Sequence, residues 1–188
     1  EAKTEKIDTQ VELANKILCS IGECENTIVV PPKKLLAVDE KKNNAGALNK
    51  NKNLRITRPE TSLAKSSLFT GSKHEPSMMS ELNKEIISAD CICFLVSFIK
   101  WSGLRFLIES LEKFTKRGGK LRVITTTYMG ATEIKAINAI AKLSNTEIRV
   151  SYDTNITRLH AKAYVFYRNT GYTTAYVGSS NLSNAAIS

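Results

Sequence analysis

The sequence predicts an α/β domain over residues 58–188, with a sheet covered by helices on both faces. Three observations carry this. From Ser77 onward, short apolar runs of strand length alternate with segments whose apolar residues recur at helical spacing. Helix start and stop residues separate them: Ser77 after Pro76, Ser102, and Gly118-Gly119. Apolar residues make up 42% of the 188, enough for a core and too many for a disordered chain.

Residues 1–57 form an N-terminal appendage ending in an Asn/Lys-rich linker. Val11, Leu13, Ala14, Ile17 and Leu18 predict a helix near its start, and Pro31-Pro32 then forces extended backbone. The polar stretch from Lys41 to Asn53 has turn residues and little to bury, so it reads as linker or long loop. Past a second irregular stretch, Arg58 to Pro76, a helix opens with Met79, Leu82, Ile86 and Ala89 on one face. Residues 91–98 are a buried strand. One helix, capped by Ser102, carries Leu104, Leu107, Ile108, Leu111 and Phe114. Next come a strand at Leu121–Thr127, a helix at Glu133–Leu143 with Ile134, Ile137 and Ala141 inward, and a strand at Glu147–Tyr152. Strands at His160–Arg168 and Thr173–Val177 flank a turn near Gly171, and Asn181 starts a helical segment.

Lys and Arg number 27 against 18 Asp and Glu; residues 61–188 carry 16 and 9 of these, a net charge of +7. That balance favours a polyanionic partner. No run approaches the roughly 18 apolar residues of a membrane span, and no basic-then-apolar leader opens the chain. The chain begins without Met and stops inside a continuing pattern, so it reads as a piece of something longer. Cys91 and Cys93 share one face of a strand, where thiols pack as small hydrophobes. Cys19 and Cys24, with His74 distant, fall short of a zinc site; reduced thiols, a cytoplasmic protein and no metal or cofactor are the expectation.

The chemistry-bearing residues cluster late in the chain. Period-2 geometry places His160 and Lys162 on one strand face, and Gly178-Ser179-Ser180-Asn181 forms a small-residue turn after the next strand. A hairpin brings the two segments together, so that imidazole, ammonium, carboxamide and turn amides converge. That set suits phosphate: Lys162 supplies charge, Asn181 and the turn supply donors, and His160 supplies a nucleophile. Arg158 and Lys100, at strand ends, are candidates for flanking phosphates or are simply solvated charges. Thr125-Thr126-Thr127 suits a cleft wall or a plain strand, Trp101 suits core or interface ahead of base stacking, and Lys116 to Lys120 reads as a solvated helix end.

His160-x-Lys162 followed by Gly178-Ser179-x-Asn181 resembles the phospholipase D superfamily signature, His-x-Lys-x4-Asp-x6-Gly-Ser-x-Asn. Two departures stand out: Tyr167 occupies the Asp position, and the interval to Gly-Ser is four residues longer. A closer resemblance spans residues 58–188, through Glu75-Pro76-Ser77, Val96 to Gly103, Val123 to Thr132 and Arg158 to Tyr164. These phrases are similar to phospholipase D-like domains at the front of bacterial DEAD/DEAH-box (superfamily 2) helicases and restriction-like nucleases.

The resemblance implies a mixed, mostly parallel sheet and a metal-independent nuclease acting on DNA through a phosphohistidine at His160. Lys162 and Asn181 would hold the nonbridging oxygens, supported by Gly178, Ser179 and Ser180. Because the chain has one motif and His74 lacks the x-Lys context, a second histidine would come from a twin subunit in a homodimer. A helicase motor would follow in the same parent chain; no Gly-Lys-Ser/Thr phosphate loop occurs here. The domain would then be truncated at its C-terminal end. The rival reading is a catalytically silent DNA-binding or dimerisation module with the same fold. A lipid phosphodiesterase falls last, for want of an apolar membrane-docking stretch.

Overall fold

Alternating burial along β1 (Cys91–Val96) sends Ile92, Phe94 and Val96 into the core and makes this strand the centre of a five-stranded sheet. The computed structural model describes residues 2–22, 57–61, 63, 66–72, 74–156 and 158–183. The chain divides into two compact units, 1–36 and 37–188. In the first, α1 (Ala2–Ser20) is the expected N-terminal helix; Val11 is buried while Leu13 and Ile17 are exposed. Pro31-Pro32 and the Asn/Lys-rich stretch lie outside the described residues.

In the second unit, α2 (Met78–Ser88) starts at Ser77, whose side chain accepts a hydrogen bond from the Ser80 amide. After β1 come α3 (Trp101–Leu104), α4 (Ile108–Lys116), β2 (Lys120–Thr126), a 3₁₀ turn at Tyr128–Gly130, α5 (Ile134–Ala141) and β3 (Thr146–Ser151). A hairpin of β4 (Lys162–Tyr167) and β5 (Thr174–Val177) completes the sheet, in the order β3-β2-β1-β4-β5. The pairs β1/β2 and β2/β3 are parallel; β1/β4 and β4/β5 are antiparallel. The α/β class and the mixed sheet therefore hold.

Residues from α2 to α5 join Ile92, Phe94, Val96, Leu121, Val123, Tyr164 and Phe166 in one buried cluster. Of the two helical layers anticipated, the described residues place this one. Phe94 packs edge-on against Tyr164 at 5.1 Å and Phe166 at 6.1 Å, which fixes the β1/β4 register through the core. Cys91, Cys93 and Leu95 alternate onto the other face and are half-buried, so the cysteines stand outside the main cluster. Burial pushes the Cys93 thiol up.

Several local expectations are corrected. The single helix after Ser102 is broken at 105–107, where Phe106 and Leu107 donate to the carbonyls of Gly103 and Leu104 in three-residue turns. The cap of α3 is Lys100, and Ser102 lies inside it. Leu104, Leu107, Leu111 and Phe114 are nevertheless all buried, because the break preserves their common face. In α5 the buried residues are Ala136 and Ile140, while Ile134 and Ala141 are exposed. Six of its eight residues are Ile or Ala, so periodicity leaves the phase of the helix undetermined.

Arg117 is no mere solvated helix end: its guanidinium donates to the carbonyls of Ile86 (2.9 Å), Ala89 (2.8 Å) and Ile87, capping α2. Asn181–Ser183 is not helical; Leu182 instead bridges in parallel to Ile99. Among the described residues no helix is long and apolar enough to cross a membrane.

That bridge seats residues 182–183 directly on Gly103, where an added Cβ would stand 2.6 Å from the Ser183 Cα. The Ser183 amide nitrogen at 2.6 Å and the Leu182 carbonyl carbon at 2.7 Å are backbone too, so nothing there gives way cheaply. Gly103→Ala is expected to destabilise the protein by about 1–3 kcal/mol. A urea unfolding midpoint equal to that of the native protein would contradict this packing.

Candidate active site

Strand polarity decides where the site residues meet. The carboxyl ends of parallel β1, β2 and β3 lie on one edge of the sheet. Because β4 runs antiparallel to β1, with Val96 paired to Lys162, its amino end arrives at that same edge. The hairpin returns the carboxyl end of β5 there, and the Gly178 amide donates to the Lys162 carbonyl at 3.1 Å. His160–Lys162 and Gly178–Asn181 are thus neighbours, as the hairpin argument expected. Ligand sites in α/β sheets favour this edge.

His160 precedes β4 instead of lying within it, and is exposed. Lys162, the first residue of β4, retains 6% of its exposure. Its Nζ donates to the His160 carbonyl at 3.0 Å, which ties the ammonium to the histidine backbone. Burial lowers the Lys162 ammonium below the ordinary lysine range, since desolvation penalises the charged form.

Asn181 is half-buried, and its Oδ1 accepts from the Phe98 amide at 3.1 Å. The oxygen is committed in this way, and the carboxamide nitrogen is its donor end. Ser180 is half-buried, and its carbonyl accepts from the Tyr164 hydroxyl at 2.9 Å; Gly178 and Ser179 are exposed. Lys100 is exposed, with its amide donating to the Leu182 carbonyl at 2.9 Å, so it sits next to the Asn181 segment. Arg158, also exposed, lies 5.7 Å from the Tyr128 ring centroid.

Sequence reasoning missed the residues that hold this edge together. Tyr164, wholly buried beneath the sheet's aromatic cluster, anchors the Gly178–Asn181 turn. Burial pushes its phenol up, which keeps the hydroxyl a donor throughout the physiological range. Ser97 joins β1 to the segment before β4: its amide donates to the Ala161 carbonyl at 3.0 Å. The threonines are lashings and not a cleft wall. Thr125 Oγ1 donates to the Ser97 carbonyl at 3.1 Å, Thr126 Oγ1 to the Ser151 carbonyl at 3.1 Å, and Thr132 Oγ1 to the Thr126 carbonyl at 2.8 Å. A lone Tyr or Thr in a strand carries no signal of such a role, because both are ordinary strand formers.

Tyr167, at the Asp position of the motif, closes β4 at its other end and pairs with Cys91. Five strand steps, about 17 Å, separate it from Lys162. The longer motif interval lies in the hairpin tip, where Gly171 takes φ +84° and its amide donates to the Arg168 carbonyl. Trp101 packs partly buried against the core with Lys135 Nζ 4.5 Å above its ring. His74 is exposed in the turn before α2. Cys19 is exposed, Cys24 lies outside the described residues, and no three His, Cys, Asp or Glu among those described cluster as metal ligands.

If the Tyr164–Ser180 bond fixes the turn, Tyr164→Phe costs about 0.5–1.5 kcal/mol of stability. Equal denaturant midpoints for the variant and the native protein would remove that role.

A family model described as "Cardiolipin synthase, PLD-like domain" matches residues 82–188. No curated protein matches the chain.

Proposed function

The chain belongs to the phospholipase D-like domain family, a phosphodiester-handling family, and from that premise we propose that its site hydrolyses DNA phosphodiesters without a metal ion. The observation that carries the reading is the buried Lys162, whose ammonium is held on the His160 carbonyl while its backbone carbonyl accepts from the Gly178 amide of the Gly178–Asn181 turn. A cation, an oriented carboxamide and a small-residue turn form an anion cradle, and the exposed imidazole at its mouth is a nucleophile.

In this mechanism an imidazole nitrogen of His160 attacks phosphorus. The bond to the leaving sugar oxygen breaks, and a general acid protonates that oxygen. Water then attacks the phosphohistidine, the P–N bond breaks, and a phosphomonoester leaves. Lys162 Nζ and the Asn181 amide stabilise the charge that builds on the nonbridging oxygens, with Arg158 and Lys100 on flanking phosphates.

The general acid is assigned to the same histidine of a second subunit, because the chain carries one His-x-Lys motif and His74, followed by Glu75-Pro76, lacks that context. A strict monomer in sedimentation that retains full activity would overturn the shared site. The phrases around residues 75–77, 96–103, 123–132 and 158–164 further support a place beside a helicase motor in a cytoplasmic parent protein. A parent whose ATP hydrolysis ignores DNA would remove that part. The positive charge, +9 for the chain, supports a nucleic-acid substrate.

The test is nicking of plasmid and cleavage of single-stranded DNA in excess chelator. The native protein is expected to cut, and His160→Ala to abolish cutting. Binding that is salt-sensitive but unaccompanied by cleavage, and indifferent to His160→Ala, would instead make the domain a silent binding module.

Lysine charge is lost as pH rises, and burial moves that loss to lower pH. The alkaline limb of kcat/KM is therefore expected below the range of an exposed lysine. Lys162→Met should reduce cleavage roughly 100- to 1000-fold and abolish that limb. An unchanged limb in the residual activity of the variant would assign the titration to another group.

A further inference from the structure

We infer that the rim beside the phosphate site is a stacking platform for unpaired bases, which makes single-stranded nucleic acid the substrate form this site takes. The inference rests on the nucleic-acid reading above and adds the strand state, which neither the family match nor the motif supplies.

The platform is continuous with the site. The Phe98 amide that orients Asn181 belongs to a residue whose ring stacks on Tyr128, with centroids 6.5 Å apart and planes 17° from parallel. The Arg158 guanidinium lies 5.7 Å from the centroid of that Tyr128 ring, and Arg158 is two residues before His160. Two rings and a cationic plane thus line up from Asn181 towards the histidine segment. Such planar groups recognise a base that has left its own stack.

Around them, three large apolar side chains stand in solvent: Tyr152 at 79% exposure, Met129 at 75% and Ile156 at 92%. Their exposure is built in by hydrogen-bonded turns. The Tyr128 amide donates to Thr126 Oγ1 at 3.1 Å, and Met129 takes φ +58°, a left-handed conformation, in the turn that follows. The Ser151 carbonyl, one residue before Tyr152, accepts from the Thr127 amide at 3.0 Å. Asp153 Oδ1 accepts from the amides of Asn155 and Ile156 at 3.2 and 2.9 Å, which shapes the loop carrying Ile156. This also gives Asp153 a local structural role.

The chemistry selects the occupant. A duplex keeps its base faces stacked inside and offers this rim only phosphates, whereas a single strand offers phosphate and π-face together at the spacing of one nucleotide. A membrane surface would be met by an amphipathic helix or a broad aliphatic patch. Here two near-parallel rings, offset from one another, have an arginine guanidinium beside them.

The experiment measures anisotropy of labelled oligothymidylate, an abasic deoxyribose-phosphate strand of equal length, and the corresponding duplex, all in chelator. His160→Ala serves as the background so that turnover does not interfere. Oligothymidylate is expected to bind about ten-fold or more tightly than the abasic strand. Tyr128→Ala, and separately Tyr152→Ala at a solvent-exposed position that folding does not need, should erase that base preference and leave abasic binding unchanged.

Equal affinity for base-bearing and abasic strands would overturn the platform, as would tighter binding of the duplex. So would anionic phosphatidylglycerol vesicles that bind in a Tyr152-dependent manner while oligothymidylate does not. Base preference is read without cleavage, so it survives a failure of the nuclease assay. Chelator-resistant cleavage with no base preference would sink the platform alone.

Discussion

Everything at the functional edge depends on β4 running antiparallel to β1. The parallel β1, β2 and β3 bring only loop starts to that edge: Ser97, Thr127 and Tyr152. Reversing the fourth strand brings Lys162 to the same edge, opposite Val96, and the hairpin then delivers Gly178 to the Lys162 carbonyl. A parallel β4 would put its first residue a whole strand length away, close to 20 Å by the usual rise. The register is equally constrained. Tyr164 and Phe166 share a face with Lys162, and both pack edge-on against Phe94. A one-residue slip would expel both rings and turn the lysine to the opposite face.

The two ends of the β4–β5 hairpin treat buried charge in opposite ways. At the far end Glu85, 1% exposed, is matched by Arg168 and accepts from Thr174 Oγ1 at 2.8 Å and from the Tyr176 hydroxyl at 3.0 Å. A balanced network of this kind locks α2 to the hairpin and leaves little net field. At the near end the described side-chain bond of Lys162 goes to a neutral carbonyl, at a position only 6% exposed. Burial there lowers the Lys162 ammonium below the ordinary lysine range, because desolvation penalises the charged form. On the proposed reading, an anion entering beside Lys162 would supply a counter-charge there, which suits this end of the hairpin to binding.

The strands were legible because β1, β2 and β4 alternate or run apolar between turn residues, and the pairing of His160–Lys162 with Gly178–Asn181 followed from a hairpin alone. What escaped the sequence is what depends on tertiary neighbours. The break after Leu104 preserves the apolar face, so periodicity does not see it. The phase of α5 is hidden because nearly every side of that helix is apolar. Arg117 acts on α2, some thirty residues back, and a basic residue beside two glycines has no local mark of that partnership. Tyr164, Thr125 and Phe98 serve the site through a hydroxyl, a hydroxyl and a backbone amide, at positions where strand propensity alone would justify them.

Both departures from the family motif fall at the end of the hairpin remote from the cradle. Tyr167 is the last residue of β4, and the added length lies between it and Thr174, where pairing resumes with Phe166. Inserted residues there lengthen a tip that already turns through Gly171, and they leave unaltered the register that sets Gly178 beside Lys162. The structural work around the missing aspartate is done by other groups. Asp90 Oδ2 accepts from the Asn169 amide at 2.8 Å, the Asp90 amide donates to the Tyr167 carbonyl at 2.9 Å, and Glu85 holds Arg168. A carboxylate from the turn before β1 and another from α2 thus secure the strand end without one from β4 itself. The cradle and the hairpin tip are separate engineering problems joined only by a rigid strand, so sequence can drift at one without moving the lysine at the other.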